Sequence, residues 1–159
     1  MTPFSTFDHE APQSIVEYAS GKLNANSNIN NVNWMYVPFV NHISKFPNSW
    51  SSDRYTIQND GVFCVSANVL VYNSNDNIFQ LRMRIYQNSV IQATSSLVVG
   101  AAYVDDDLKN ANISRQTILN CSAGDTISVM VYAHFSGSTV LTYNTDSGRP
   151  CEVTIIKID

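Results

Sequence analysis

Two runs of strict alternation, Val62 to Tyr72 and Ile78 to Tyr86, restrict this chain more than any other feature. Successive side chains on a strand point to opposite faces, so a period of two sorts residues onto two surfaces. In the first run Phe63, Val65, Ala67, Val69 and Val71 share a face; in the second Phe79, Leu81, Met83 and Ile85 do. Between the runs lies Asn73-Ser-Asn-Asp-Asn77, which is turn chemistry. The pattern signals a β-hairpin. The backs of the two strands differ, however. Gln80, Arg82 and Arg84 face water, whereas Leu70 and Tyr72 are apolar residues beside Cys64, Ser66 and Asn68. The expectation is that the pair spans two sheets, with only the second strand exposing its back.

The rest of the chain from Tyr55 reads as more of the same. Strands are expected at Tyr55–Gln58, Val90–Ala93, Leu97–Tyr103, Ile113–Cys121, Thr126–Phe135, Thr139–Tyr143 and Cys151–Ile158. The breaks carry Asn, Asp, Gly, Ser and Pro, as in Asn59-Asp60-Gly61 and Ala123-Gly124-Asp125. This predicts an all-β fold, a jelly-roll β-sandwich of about eight to ten antiparallel strands. Several strands are apolar on both faces. Thr126–Phe135 puts Ile127, Val129, Val131, Ala133 and Phe135 on one face and Met130, Tyr132 and His134 on the other. The last strand offers Val153 and Ile155 in one register, Ile156 and Ile158 in the other. A sheet with one face in water alternates cleanly, so oligomerisation would explain the second apolar surface. The alternative is a scatter of singly exposed apolar residues.

Residues 1–50 differ, and 51–159 form the expected jelly-roll domain. Pro12 to Ser20 has a helical start and Gly21 a stop. Asn24 to Asn33 reads as loop, and Asn33 to Val40 as an edge strand interrupted by Pro38. This N-terminal region is either a first strand with a frayed end or an arm that docks on a neighbour through Phe4, Phe7, Ile15, Tyr18 and Trp34.

Composition excludes several function classes. Charged residues are only 14% and the net charge is −4, which leaves no basic footprint for nucleic acid. No run of about 18 apolar residues is present, so no spanning helix is expected. The start of the chain lacks the pattern of a secretory signal. The three cysteines, Cys64, Cys121 and Cys151, have no metal spacing and read as free and buried. His9, His42 and His134 are scattered, and no nucleophile, zinc or phosphate motif occurs. No catalytic residue, cofactor or metal site is expected. Asp105-Asp106-Asp107 could supply cation ligands, but a solvated acidic turn is the simpler reading.

The chain resembles the complement globular-head and tumour-necrosis-factor-like jelly rolls. The resemblance rests on Gly61-Val-Phe63-Cys-Val65, on Leu81-Arg-Met83-Arg-Ile85-Tyr86-Gln-Asn88-Ser89, and on Ile118-Leu119-Asn-Cys121-Ser-Ala-Gly124-Asp125-Thr-Ile127-Ser-Val129. It covers roughly residues 55–159. Asn88-Ser89 stands where the family has Asn-Gly, and the family's aromatic last strand is replaced by Cys151-Glu-Val-Thr-Ile-Ile-Lys-Ile158. The resemblance implies a homotrimer whose inner sheet turns its outward face to the threefold axis. Mapped onto this chain, that face holds Leu70, Tyr72, Met130, Tyr132, His134, Ile156 and Ile158.

A non-catalytic role follows. The expected function is a virion structural protein on the capsid surface: a homotrimeric capsid decoration (cement) protein of a phage that grips the major capsid protein with its aromatic arm. The alternative is a fibre knob that binds a glycan or host receptor, with Tyr103, Trp34 or Trp50 as stacking surfaces. Neither nucleic acid nor membrane is an expected partner.

Overall fold

A computed structural model describes residues 16–23, 28–29, 33–51, 53–72, 78–98, 110–135, 141–143 and 151–159. Their strands are β1 (Tyr18–Lys22), β2 (Asn28–Ile29), β3 (Trp34–Tyr36), β4 (Val40–Ser44), β5 (Trp50–Ser51), β6 (Arg54–Thr56) and β7 (Gly61–Tyr72). There follow β8 (Ile78–Gln87), β9 (Val90–Val98), β10 (Asn110–Cys121), β11 (Thr126–Phe135), β12 (Leu141–Tyr143) and β13 (Glu152–Lys157). They form two antiparallel sheets. The first runs β2-β12-β7-β13-β1-β4, with β10 on the other side of β7. The second runs β5-β6-β11-β8-β9, with β3 also paired to β11. The expected all-β sandwich is what the chain forms.

The core lies between the sheets and follows the alternation read from the sequence. Phe63, Val65, Ala67, Val69 and Val71 from the first sheet meet Leu81, Met83, Ile85, Ile127, Val129, Val131 and Ala133 from the second, all buried. Burying each large aliphatic side chain contributes about 1.5–3 kcal/mol. Cys151 closes one edge of this core with its thiol: Leu70 N–H donates to Sγ at 3.2 Å, and the thiol donates to Leu70 O at 3.3 Å. The three cysteines are free.

Four expectations need correction. β7 and β8 are not a paired hairpin: β7 pairs with β10, β13 and β12, and β8 with β11 and β9. The connection crosses from one sheet to the other, as the unlike backs of the two strands suggested. Val90–Ala93 and the beginning of Leu97–Tyr103 belong to a single continuous strand, β9, because Thr94, Ser95 and Ser96 pair with Arg84, Met83 and Arg82. The helix expected at Pro12–Ser20 is not there from Val16 onward. Tyr18–Lys22 is a strand held between β13 and β4. Its inward residues are Ala19 and Gly21, too small to betray a period of two, and Trp50 and Phe39 fill the space above Gly21. Finally, Leu70 is only 4% exposed and belongs to this chain's own core cluster, so it offers nothing to a partner.

Residues 16–50 therefore supply β1 to β4 of the sandwich rather than a free arm. Phe4, Phe7 and Ile15 lie outside the described residues, as do the Asn73–Asn77 turn, Asp105–Asp107 and Tyr103.

Candidate functional site

Two outward faces remain once the core is accounted for, one on each sheet. The first is organised by register. Tyr18 on β1 pairs with Ile156 on β13, Ile156 with Cys64 on β7, and Cys64 with Ile118 on β10. Four neighbouring strands thus present one row of side chains on the same outward surface. Tyr18 is 42% exposed, Ile156 41% and Ile118 65%. Exposed Ile43 of β4 pairs with Ser20 in the adjoining row, and exposed Val16 and Ile158 lie beyond Tyr18 and Ile156. Toward the other side the face turns polar: Ser20, Thr154, Ser66 and Gln116 form the next row. Ser20 Oγ donates to Glu152 Oε1 at 2.8 Å, and Lys22 Nζ lies 3.0 Å from His42 Nε2. These groups rim an open pocket of about 370 Å³ with Tyr18, Ile43 and Ile156 at its apolar end.

A buried carboxylate fixes this face. Glu17 precedes β1 and is 0% exposed. Its Oε1 accepts from the Tyr55 hydroxyl (2.8 Å) and Gln58 N–H (2.9 Å). Its Oε2 accepts from Asn59 N–H (2.9 Å) and Asn59 Nδ2 (3.1 Å). Burial, with the Glu17 carboxylate beside it, pushes the Tyr55 hydroxyl well above its ordinary value. Burial also pushes the Cys121 thiol up to about 11, with Asp125 and Glu17 adding in the same direction. No nucleophile is activated here; the shifts oppose ionisation. The carboxylate ties the first strand of one sheet to the turn that leads into β7.

The second face belongs to the other sheet. Trp34 pairs with Tyr132 and Tyr132 with Arg82; Tyr36 pairs with Met130 and Met130 with Arg84; Arg54 pairs with Ser128 and Ser128 with Tyr86. Arginines and aromatic rings therefore share this face. The Arg84 guanidinium lies 4.0 Å from the Trp34 ring centroid, Arg82 5.7 Å from Tyr132 and Arg54 5.6 Å from Tyr36. The Trp34 and Tyr132 rings are 5.5 Å apart.

The residues expected to make one trimer face are thus divided between opposite surfaces. Ile156 and Ile158 lie on the first face. Met130, Tyr132 and His134 lie on the second, in register with Arg84, Arg82 and Gln80. Alternation along a strand says which side chains share a side; it does not say which sheet the strand joins. The side chain of Tyr72 is outside the described residues. Tyr18 is in the first face and Trp34 in the second, rather than in an arm. Sequence reasoning passed over Ile118 and Ile43 on the first face and Arg54 and Tyr36 on the second. Ile118 was within reach: Leu119 next to it is buried, so a period of two sends Ile118 outward. Among the described residues no group of histidine, cysteine and carboxylate side chains could hold a metal ion.

No family model matches the chain, and no curated protein matches it by sequence. Its likeness is to solved structures. Murine APRIL at pH 5.0 superposes with a TM-score of 0.64 at 9% identity, covering 90% of this chain and 99% of that one. The same protein at pH 8.0 and pH 8.5 gives TM-scores of 0.62 and 0.60 at the same identity and coverage. At that identity the likeness concerns the fold alone, and the fold is a tumour-necrosis-factor-like jelly roll.

Proposed function

We propose that this protein is the homotrimeric head of a surface assembly, with the Tyr18–Ile156–Cys64–Ile118 row as its subunit contact. The row carries the reading. A row of apolar side chains running across four strands marks an interaction surface. Ile118 stands on β10, which pairs only with β7 among the described residues, while Tyr18 on β1 and Ile43 on the outermost strand β4 stand toward the opposite side of the sheet. A closed ring needs two different surfaces of each protomer to meet, and the two ends of this row are such a pair. The hydroxyl and amide row beside it supplies the polar rim that interfaces carry. The trimer that the sequence resemblance implies also turns one sheet's outward face to the axis, and of the residues mapped to that face Ile156 and Ile158 lie on this one.

The finer reading is a virion surface protein, a capsid decoration protein or a fibre knob. It is supported by the low charge and the Asn- and Ser-rich surface. Between the two, the arginine and aromatic face of the second sheet favours the knob, since it is a ready contact surface directed away from the proposed subunit contact. Sedimentation equilibrium tests the trimer: the expected mass is three times 17.7 kDa. A monomer throughout the micromolar range defeats it. Sedimentation with purified capsids tests the decoration role, which fails if the protein stays in the supernatant.

A further inference from the structure

We propose that the outward face of the second sheet is a binding site for an acidic sugar, a carbohydrate unit bearing a carboxylate or a sulfate. Trp34, Tyr36 and Tyr132 supply the ring surfaces; Arg54, Arg82 and Arg84 supply the cations. The proposal takes from the trimer reading only that this face stays open when the other is covered.

The first observation is charge without a counter-charge among the described residues. The chain carries a net −4, yet three arginines stand together here. Arg54 has Asp53, whose Oδ1 is 3.1 Å from its Nε. Arg82 and Arg84 have no carboxylate within ion-pair distance among the described residues. Gln80 is the nearest polar partner of Arg82: turned so that its oxygen faces the guanidinium, it accepts from Nε at 3.0 Å and Nη2 at 2.7 Å. Arg84 Nε is shut from solvent and has no hydrogen-bond partner among the described residues. A buried donor left unpaired is costly, so the position of Arg84 is not one that stability alone favours.

The second observation is preorganisation. Arg84 is stacked on Trp34 and Arg82 leans on Tyr132, which fixes the guanidinium planes. A guanidinium held in place suits carboxylate and sulfate oxygens and loses little entropy on binding; with Arg82 Nε turned to Gln80 and Arg84 Nε buried, the Nη groups are the ones that meet them. The third is surface chemistry. Tyr36, 37% exposed, and the half-buried Trp34 and Tyr132 give apolar ring surface beside the guanidinium groups for the apolar side of a sugar. The combination of ring surface and fixed anion fork is specific to an acidic sugar; a neutral sugar would leave the guanidinium groups unanswered, and a flexible acidic peptide would leave the rings unused.

Titration calorimetry with the full chain provides the test. The probes are sialyllactose (carboxylate), a heparin-derived hexasaccharide (sulfate), lactose and polyglutamate. One acidic sugar binds, with lactose and polyglutamate at least about tenfold weaker; which of the two binds identifies the anion. Arg82→Lys with Arg84→Lys keeps the charge but loses the fork, and weakens binding at least about tenfold. Amide shift mapping on the unaltered protein places the site on β3, β8 and β11 independently of any variant. Binding of lactose or polyglutamate as tight as the acidic sugars, no binding of either acidic sugar, or shifts confined to β1, β10 and β13 overturns the proposal. Sedimentation of the same samples reports the trimer separately, so loss of sugar binding with the trimer intact counts against this inference alone.

Discussion

Glu17 shows how much of this fold hangs on one side chain that no pattern announced. Four donors converge on its carboxylate, two of them backbone N–H groups next to the turn into β7. Removing the acceptor strands the buried Tyr55 hydroxyl and three part-buried donors, at about 1–3 kcal/mol for each one left unpaired away from water. Glu17→Ala is expected to lose about 3 kcal/mol or more, read as a lower urea midpoint with unchanged slope. A loss below about 1 kcal/mol would mean that water or another group takes over the donors. Asp125 makes the complementary case at the surface. The Asn88 amide (2.6 Å) foremost, then the Ser122 N–H (2.9 Å) and Gln87 (2.8 Å), hold its carboxyl below the ordinary aspartate value. A depressed folded value means the contribution is present above the ordinary value of about 3.9 and fades as pH falls through the folded one. Asp125→Asn is therefore expected to lower stability at neutral pH and to flatten the acid limb of the melting temperature below about pH 4. An unchanged acid limb would remove Asp125 from that account. Asp125 was legible as a turn residue, but its network was not, and nothing in the sequence singled out Glu17. A buried carboxylate and a turn network both depend on donors distant in sequence, from 38 to 42 positions away for Glu17.

At the scale of elements, long strands were readable and short ones were not. β7, β8 and β11 each bury several apolar side chains on one side, enough to impose a period of two on the sequence. β1 does not, since its core positions are Ala19 and Gly21. A Cβ on Gly21 would stand 2.5 Å from Trp50 Cη2 and 3.0 Å from Phe39 Cβ, so the strand is accommodated by having no side chain there. Gly21→Ala is expected to cost about 1–3 kcal/mol through overpacking, with a changed Trp50 fluorescence maximum. A melt matching the unaltered protein would show that the Trp50 ring moves aside freely. The turn between β8 and β9 leads to the opposite outcome. Gln87 pairs with Val90, and the two residues between them both lie in the left-handed region, Asn88 at φ 49° and Ser89 at φ 67°. That is the backbone a two-residue hairpin prefers, and it suits Asn then Gly. Ser89 is exposed and carries the strain of that conformation without a glycine's freedom. Ser89→Gly should raise stability by about 0.5–1 kcal/mol, measured by thermal melting; a fall would show that the Ser89 side chain contributes more than its backbone costs.

For the whole molecule, the sandwich gives two outward faces of opposite character, and the sequence had merged them. Leu70, Met130, Tyr132, His134, Ile156 and Ile158 all read as apolar or aromatic backs of strands. Only sheet membership, set by pairings such as Ile156 with Cys64 and Tyr132 with Arg82, separates them. The separation makes the trimer reading sharper than a count of exposed apolar residues, because it predicts an asymmetry between variants. Substitutions in the first face act on association, and those in the second leave it alone. Ile118 on β10 and Ile156 at the centre of the row would each be driven into a neighbour by threefold closure. A carboxylate at either position would be buried without a partner, a large penalty for assembly but a small one for the isolated protomer, where both sites are open to water. Ile118→Asp with Ile156→Asp is expected to give a folded monomer by sedimentation equilibrium, with far-ultraviolet circular dichroism retained. Tyr132→Ala is expected to keep the trimer. The reverse result, a trimer surviving the two aspartates and dissolving without Tyr132, would transfer the subunit contact to the second sheet.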